Sequence, residues 1–207
     1  MKIKLKEYER IHRIINAIVV SEKADPLVAC TFFAFYGAHI LKEHHKLNAE
    51  AHAGLAAYHM GGNNDVIVFG ERTGNEIAGS MNGFHCWVEV EGWAIDFMAP
   101  LFPAIAKKFN SDRKFPVNMF QKPLGDMAED FNALTKGGDF YYGNSTEILN
   151  DRIRYLSSSK VYSDLAEICS RWYKKPPKAI PSAIKVADGK GNMNSVELPS
   201  VSVVGAW

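Results

Sequence analysis

Cysteine is scarce in this chain, and the few present do not pair by spacing. Cys30, Cys86 and Cys169 are odd in number and far apart, which excludes a disulfide framework and a zinc knuckle, both of which need paired spacings. Long apolar runs are also missing. The longest candidate, residues 26–41, is interrupted by Thr31, Tyr36, Gly37 and His39 and falls short of the ~20 residues that cross a bilayer. No excess of one charge exists. The 24 Lys and Arg balance 23 Asp and Glu for a net charge of +1, so the electrostatic footprint of a nucleic-acid binder is lacking. The N-terminus, Met1-Lys2-Ile3-Lys4-Leu5-Lys6-Glu7, is charged and has neither the apolar core nor the cleavage site of a secretory signal. The expectation is a cytoplasmic protein with reduced thiols and no membrane or nucleic-acid partner.

The motifs of metal and nucleotide chemistry are missing as well. No His-Glu-x-x-His or Cys-x-x-Cys occurs. His39 and His44 are five apart rather than the three or four that share a helix face. His52 and His59, seven apart, fall on opposite faces of a regular strand. Gly61-Gly62 and Gly137-Gly138 lack the following Lys-Ser/Thr of a phosphate loop and read as turns. Lys174-Lys175-Pro176-Pro177-Lys178 is too short for a nucleic-acid patch. No metal and no cofactor is expected.

What is present suits one soluble domain spanning residues 1–207, with 47% apolar and 23% charged residues. Ile11, Ile14, Ile15, Ile18 and Val19 recur at helical spacing, predicting an amphipathic helix over 4–20. Asp25-Pro26 breaks it. From Leu27 to about Lys46 a second helix is apolar on nearly every side, the mark of a buried helix. Strands are predicted at 51–60 and 65–70, separated by the turn Gly61-Gly62-Asn63-Asn64, and 71–83 reads as a loop. Further on come a short amphipathic piece at 103–109, strands at 115–120 and 139–142, a helical segment at 126–134 and a helix at 163–174. The last thirty residues predict a short hairpin or an extended tail. Helix, antiparallel strands, then mixed structure indicates the α+β class.

Residues 84–96, Phe-His-Cys-Trp-Val-Glu-Val-Glu-Gly-Trp-Ala-Ile-Asp, carry the chemistry. They predict two strands joined by a Glu91-Gly92 turn, since Gly supplies the positive φ a tight hairpin needs. Val90 then pairs with Trp93, Glu89 with Ala94, Val88 with Ile95 and Trp87 with Asp96. Alternation puts His85, Trp87, Glu89, Ala94 and Asp96 on one face, and Asp96 lies one diagonal step from His85. An imidazole beside a carboxylate is half of a nucleophile-activating triad. Trp87 shares that face and is the candidate substrate-binding residue or a packing residue; Glu89 reads as a solvated strand residue.

The nucleophile must come from elsewhere. Strand alternation points Cys86 away from His85, which makes it a buried small hydrophobe. Cys169, between Leu165, Ile168 and Trp172, reads as packing. Cys30 follows the Asp25-Pro26 break near a helix start, where the positive dipole end lowers a thiol pKa and free N–H groups receive an oxyanion. If residues 26–29 are still loop, Cys30 falls in the first helical turn; that later start is the expectation.

The order Cys, strand, His strand, Asp strand resembles the transglutaminase-like and arylamine N-acetyltransferase branch of the papain-like cysteine-enzyme superfamily. The wording His85-Cys86-Trp87-Val88-Glu89-Val90-x-Gly92-Trp93-x-Ile95-Asp96 carries the likeness, over residues 25–100. The chain is also similar to a bacterial family of unknown function placed in that fold. The resemblance implies a papain-like fold, with a buried N-terminal helix packed on an antiparallel sheet and residues 101–207 as accessory elements. It also implies Cys30 as nucleophile, His85 as general base and acid, and Asp96 as the group that orients the imidazole. The function expected is hydrolysis of an amide or peptide bond, in a peptide or a small molecule, through a thioester. The alternatives are an acyltransferase of either related type and a catalytically silent binding domain.

Overall fold

The apolar stripe of the first segment does form a helix. In a computed structural model describing residues 1–62, 65–109 and 112–207, α1 spans Leu5–Ser21, with Ile11, Ile14, Ile15 and Ile18 fully or almost fully buried. Each such side chain contributes about 1.5–3 kcal/mol on leaving water. The Glu7 carboxylate accepts from the Lys4 N–H at 2.9 Å and fixes the helix start.

The second apolar segment is divided. A 3-10 turn covers Pro26–Val28, α2 covers Cys30–Ile40, and a π-helical turn covers Leu41–His45. Next come β1 (Ala49–His59), β2 (Val66–Phe69), β3 (Glu71–Thr73), β4 (Glu76–Ala78), β5 (His85–Val90) and β6 (Trp93–Asp96). The segment expected to be a loop at 71–83 therefore holds a small β3–β4 ribbon. Asn63 and Asn64 of the expected turn lie outside the described residues.

The hairpin register is as the alternation predicts: Val90 opposes Trp93, Glu89 opposes Ala94 and Val88 opposes Ile95. Glu91 and Gly92 both take positive φ, 47° and 78°, the geometry of a tight turn matched to strand twist.

The C-terminal half comprises α3 (Phe102–Lys108), β7 (Asn118–Pro123), β8 (Phe140–Asn144), α4 (Thr146–Ser157), α5 (Lys160–Trp172), β9 (Ala183–Ala187), β10 (Met193–Glu197) and β11 (Gly205–Ala206). Residues 126–134, expected to be helical, give only short 3-10 turns at Leu124–Asp126 and Phe131–Ala133. The helix expected at 163–174 starts three residues earlier, and α4 before it had no counterpart in the sequence reading.

One sheet runs β11-β7-β6-β5-β1-β2, with β8 also paired to β1. Its pairings are antiparallel except β11 with β7. The class is thus mixed α+β with a largely antiparallel sheet. Gly54 is the hinge of β1: it faces His85 of β5 and Asn144 of β8. A Cβ there would stand 2.0 Å from the Gly143 carbonyl oxygen, so only glycine fits. Helix α2 lies against β5 and β1, with α1 and α5 beside it.

Candidate active site

Three element ends meet at the site. Asp25 accepts from the Leu27 N–H at 2.9 Å and holds the 3-10 turn. Ala29 then leaves helical geometry at φ −98°, ψ 25°. Helix α2 consequently starts at Cys30, the later start, where N–H groups have no intrahelical acceptor and the dipole favours negative charge. Strand β5 starts at His85, and β6 ends at Asp96.

His85 and Asp96 are fully buried. His85 Nε2 lies 2.6 Å from Asp96 Oδ2 and donates to it. The same oxygen accepts from the Tyr58 hydroxyl at 2.6 Å, and Oδ1 accepts from the Met98 N–H at 2.8 Å. The Tyr8 hydroxyl donates to the Asp96 carbonyl oxygen. These bonds hold the carboxylate in one orientation, and Phe69 stacks on the imidazole at 4.2 Å between centroids. Nε2 being committed, Nδ1 is the nitrogen left for a nucleophile. It has no hydrogen-bond partner among the described residues; the buried Cys30 thiol shares the cleft with the ring and acts on its charge. Contacts of this kind tighten on forming the substrate complex.

The electrostatics separate the two groups. A hydrogen bond from the Cys86 thiol is the strongest influence on Cys30; burial opposes it, and His85 and the Cys86 N–H add to it, so the Cys30 pKa falls well below that of an ordinary thiol. For His85, burial works against the charged ring, but the Asp96 carboxylate and Cys30 outweigh it and push the pKa up to about 10. The two shifts run in opposite directions, and both favour a thiolate on Cys30 beside an imidazolium on His85.

Cys86 is buried, as expected for a small apolar side chain that alternation sends away from His85; it also acts on Cys30 electrostatically. Cys86 Sγ also lies 3.8 Å from Thr31 Oγ1. Its own pKa is raised, by the hydrogen bond to Cys30 and by burial, so it stays a thiol and donates. Cys169 is fully buried. Trp87 is sealed in the core, stacked on Tyr142 at 4.0 Å, with its Nε1–H donating to Glu89 Oε1 at 3.0 Å. Glu89 is accordingly half-buried and bonded.

A family model described as "Protein of unknown function (DUF2026)" matches residues 4–207. The chain belongs to the DUF2026 family. Since the match runs through both halves, the Cys–His–Asp cluster and residues 101–207 belong to the same family unit. This DUF2026 chain is also similar to a solved structure described as "The crystal structure of genomics APC5867", at 38% identity and a TM-score of 0.90, covering 100% of this chain and 98% of that one. No curated protein matches it.

In this DUF2026 structure Cys30 and His85 open onto a cleft of about 400 Å³. Leu27 and Val28 of the 3-10 turn, Ile67 and Phe69 of β2, Phe84, and Phe109 after α3 are among the apolar residues of its wall. The Lys108–Asp25 ion pair, 2.9 Å, ties the end of α3 to the start of the 3-10 turn. Trp87 is not among the lining residues. The one amide side chain on the wall is Asn82, which makes no side-chain hydrogen bond within the described residues. Among those residues, no three His, Cys, Asp or Glu gather as metal ligands, and no helix is long and apolar enough to cross a membrane.

Proposed function

We propose that this chain is a cysteine-dependent acyl-transfer enzyme on a papain-like fold, hydrolysing an amide or peptide bond through a thioester on Cys30. One observation carries the reading: the buried Cys30 at the start of α2 and His85, held by Asp96, border the same cleft. Cys30 heads a helix that lies against the antiparallel strands β5 and β1, which supports the reading.

The chemistry follows from those groups. The Cys30 thiolate adds to the carbonyl carbon and the carbonyl π pair moves to oxygen. The oxyanion collapses, the C–N bond breaks, and the His85 imidazolium gives its proton to the leaving nitrogen. Water then attacks the thioester while neutral His85 takes its proton. The C–S bond breaks, releasing the acid and restoring the thiolate–imidazolium pair. Asp96 orients the ring. The oxyanion is received by the Cys30 N–H at the start of α2. An amine in place of water gives transfer instead of hydrolysis, with the same thioester.

Acylation by p-nitrophenyl butyrate, followed by intact mass, tests the proposal. A butyryl adduct on Cys30 that hydroxylamine removes is expected, and Cys30→Ser abolishes it. Equal labelling of the Cys30→Ser protein would refute the assignment.

A further inference from the structure

The wall of the cleft says which acyl group fits, an inference that rests on the reading of Cys30 as nucleophile. Fourteen residues line it and none is Lys, Arg, Asp or Glu. Beyond Cys30 and His85, Asn82 is its one polar side chain; the remainder are glycines and apolar residues. Two of them, Val28 and Phe109, are 71% and 78% exposed, the highest exposures of any large apolar side chains among the described residues. Apolar side chains left in water at the rim of a concave site mark a surface that meets an apolar partner. A volume of about 400 Å³ lies toward the small end of the range for small-molecule sites, roughly 300–1,000 Å³.

We infer that the site takes an uncharged apolar acyl group, a medium-length alkyl or an aryl chain, seated between the 3-10 turn, β2 and the end of α3. Charged acyl groups are rejected, because a carboxylate placed among Leu27, Ile67, Phe69 and Phe84 would lose its hydration with no cation on the wall to replace it. The Lys108–Asp25 pair is self-neutralising and does not change this. The reactive carbonyl lies by the buried Cys30, and the chain runs past Phe69 and Phe84 toward the exposed Val28 and Phe109. Binding energy gathered along that chain positions the carbonyl and raises kcat/KM with chain length.

The test uses p-nitrophenyl acetate, butyrate, hexanoate and octanoate, with the hemisuccinate as the charged member. The expected kcat/KM rises about fourfold per methylene up to hexanoate, with the hemisuccinate at least about tenfold below butyrate. Val28→Ser and Phe109→Ser, both at exposed positions, flatten the rise to about twofold per methylene. In parallel, calorimetry on the Cys30→Ser protein follows hexanamide against acetamide and succinamate, with hexanamide alone expected to bind. Esters that acylate Cys30 at a rate independent of chain length, or fastest with the hemisuccinate, overturn the acyl selectivity and leave the nucleophile standing. Hexanamide binding with no ester acylating Cys30 supports the cleft's preference and removes the nucleophile. Absence of both hexanamide binding and chain-length dependence overturns the inference outright.

Discussion

The Asp96 carboxylate and the His85 imidazole meet at 2.6 Å with both side chains sealed from solvent. A pair so placed governs the charge of the ring, because little else faces it except Cys30 and aromatic carbon. Asp96→Asn keeps the shape and removes the charge that outweighs burial. The expected result is a His85 that titrates well below 10, read by NMR of the imidazole nitrogens. Activity should fall by at least about 100-fold with folding retained, the scale of a lost acid–base contribution. An unchanged His85 titration would mean that Asp96 does not hold the ring charged.

Cys86 lowers the Cys30 pKa through its thiol. In Cys86→Ala the donor is gone, so the Cys30 pKa rises and the acid limb of its alkylation profile moves to higher pH. Cys86 itself, pushed up by Cys30 and by burial, should resist alkylation in the native protein. Peptide mapping after iodoacetamide treatment distinguishes the two thiols.

His12 contributes a pH dependence of stability. It is fully buried, its Nδ1–H donating to the Phe97 carbonyl at 2.8 Å, and burial lowers its pKa to about 4 against the pull of that bond and of Asp96. Between about 4 and the ordinary histidine value near 6.5 the unfolded chain binds a proton that the folded one does not. Stability is therefore lost as pH falls through that window, by about 3 kcal/mol at most. His85 acts oppositely: its contribution is full below about 6.5 and is lost as pH rises toward 10. Urea unfolding across pH, with His12→Phe as comparison, should show the acid-side loss shrink in the variant.

Gly37 of α2 touches the ring of Phe97, the residue after Asp96; a Cβ would stand 2.3 Å from Phe97 Cδ2. Gly37→Ala gains helix propensity but forces the ring to move, and overpacking costs about 1–3 kcal/mol. The expected outcome is a lower urea midpoint with reduced activity, since Phe97 sits against the Asp96 turn. A stabilised protein would show that the ring yields freely.

The central hairpin was legible because its signals are local. Alternation, the Glu91-Gly92 turn and a diagonal His–Asp pair all follow from thirteen consecutive residues. The start of α2 was legible from Asp25-Pro26 for the same reason. What escaped depends on contacts between distant segments. Tyr58 reaches Asp96 from β1, and no spacing announces that. Trp87 shares the strand face of His85, but Tyr142 from β8 covers it, so its side chain lies in the core rather than on the cleft wall. Strand parity places Cys86 on the face opposite His85 and buries it, but parity does not register its influence on Cys30 of α2. Helix α4 was missed because it buries one residue, Ile148, too little for an apolar stripe. Residues 126–134 have helical composition but are broken into turns, with Asp130 accepting from the Asn132 and Ala133 N–H groups.

The most direct measurement is the rate of Cys30 alkylation by iodoacetamide across pH, in wild-type protein and in His85→Ala. A thiolate–imidazolium pair predicts a fast rate already present at mildly acidic pH, nearly flat until His85 loses its proton near 10. In His85→Ala the rate should be slower at neutral pH and its rise displaced to higher pH. A wild-type rate that climbs with an ordinary thiol pKa near 8.5, unchanged by His85→Ala, would contradict an activated Cys30–His85 pair.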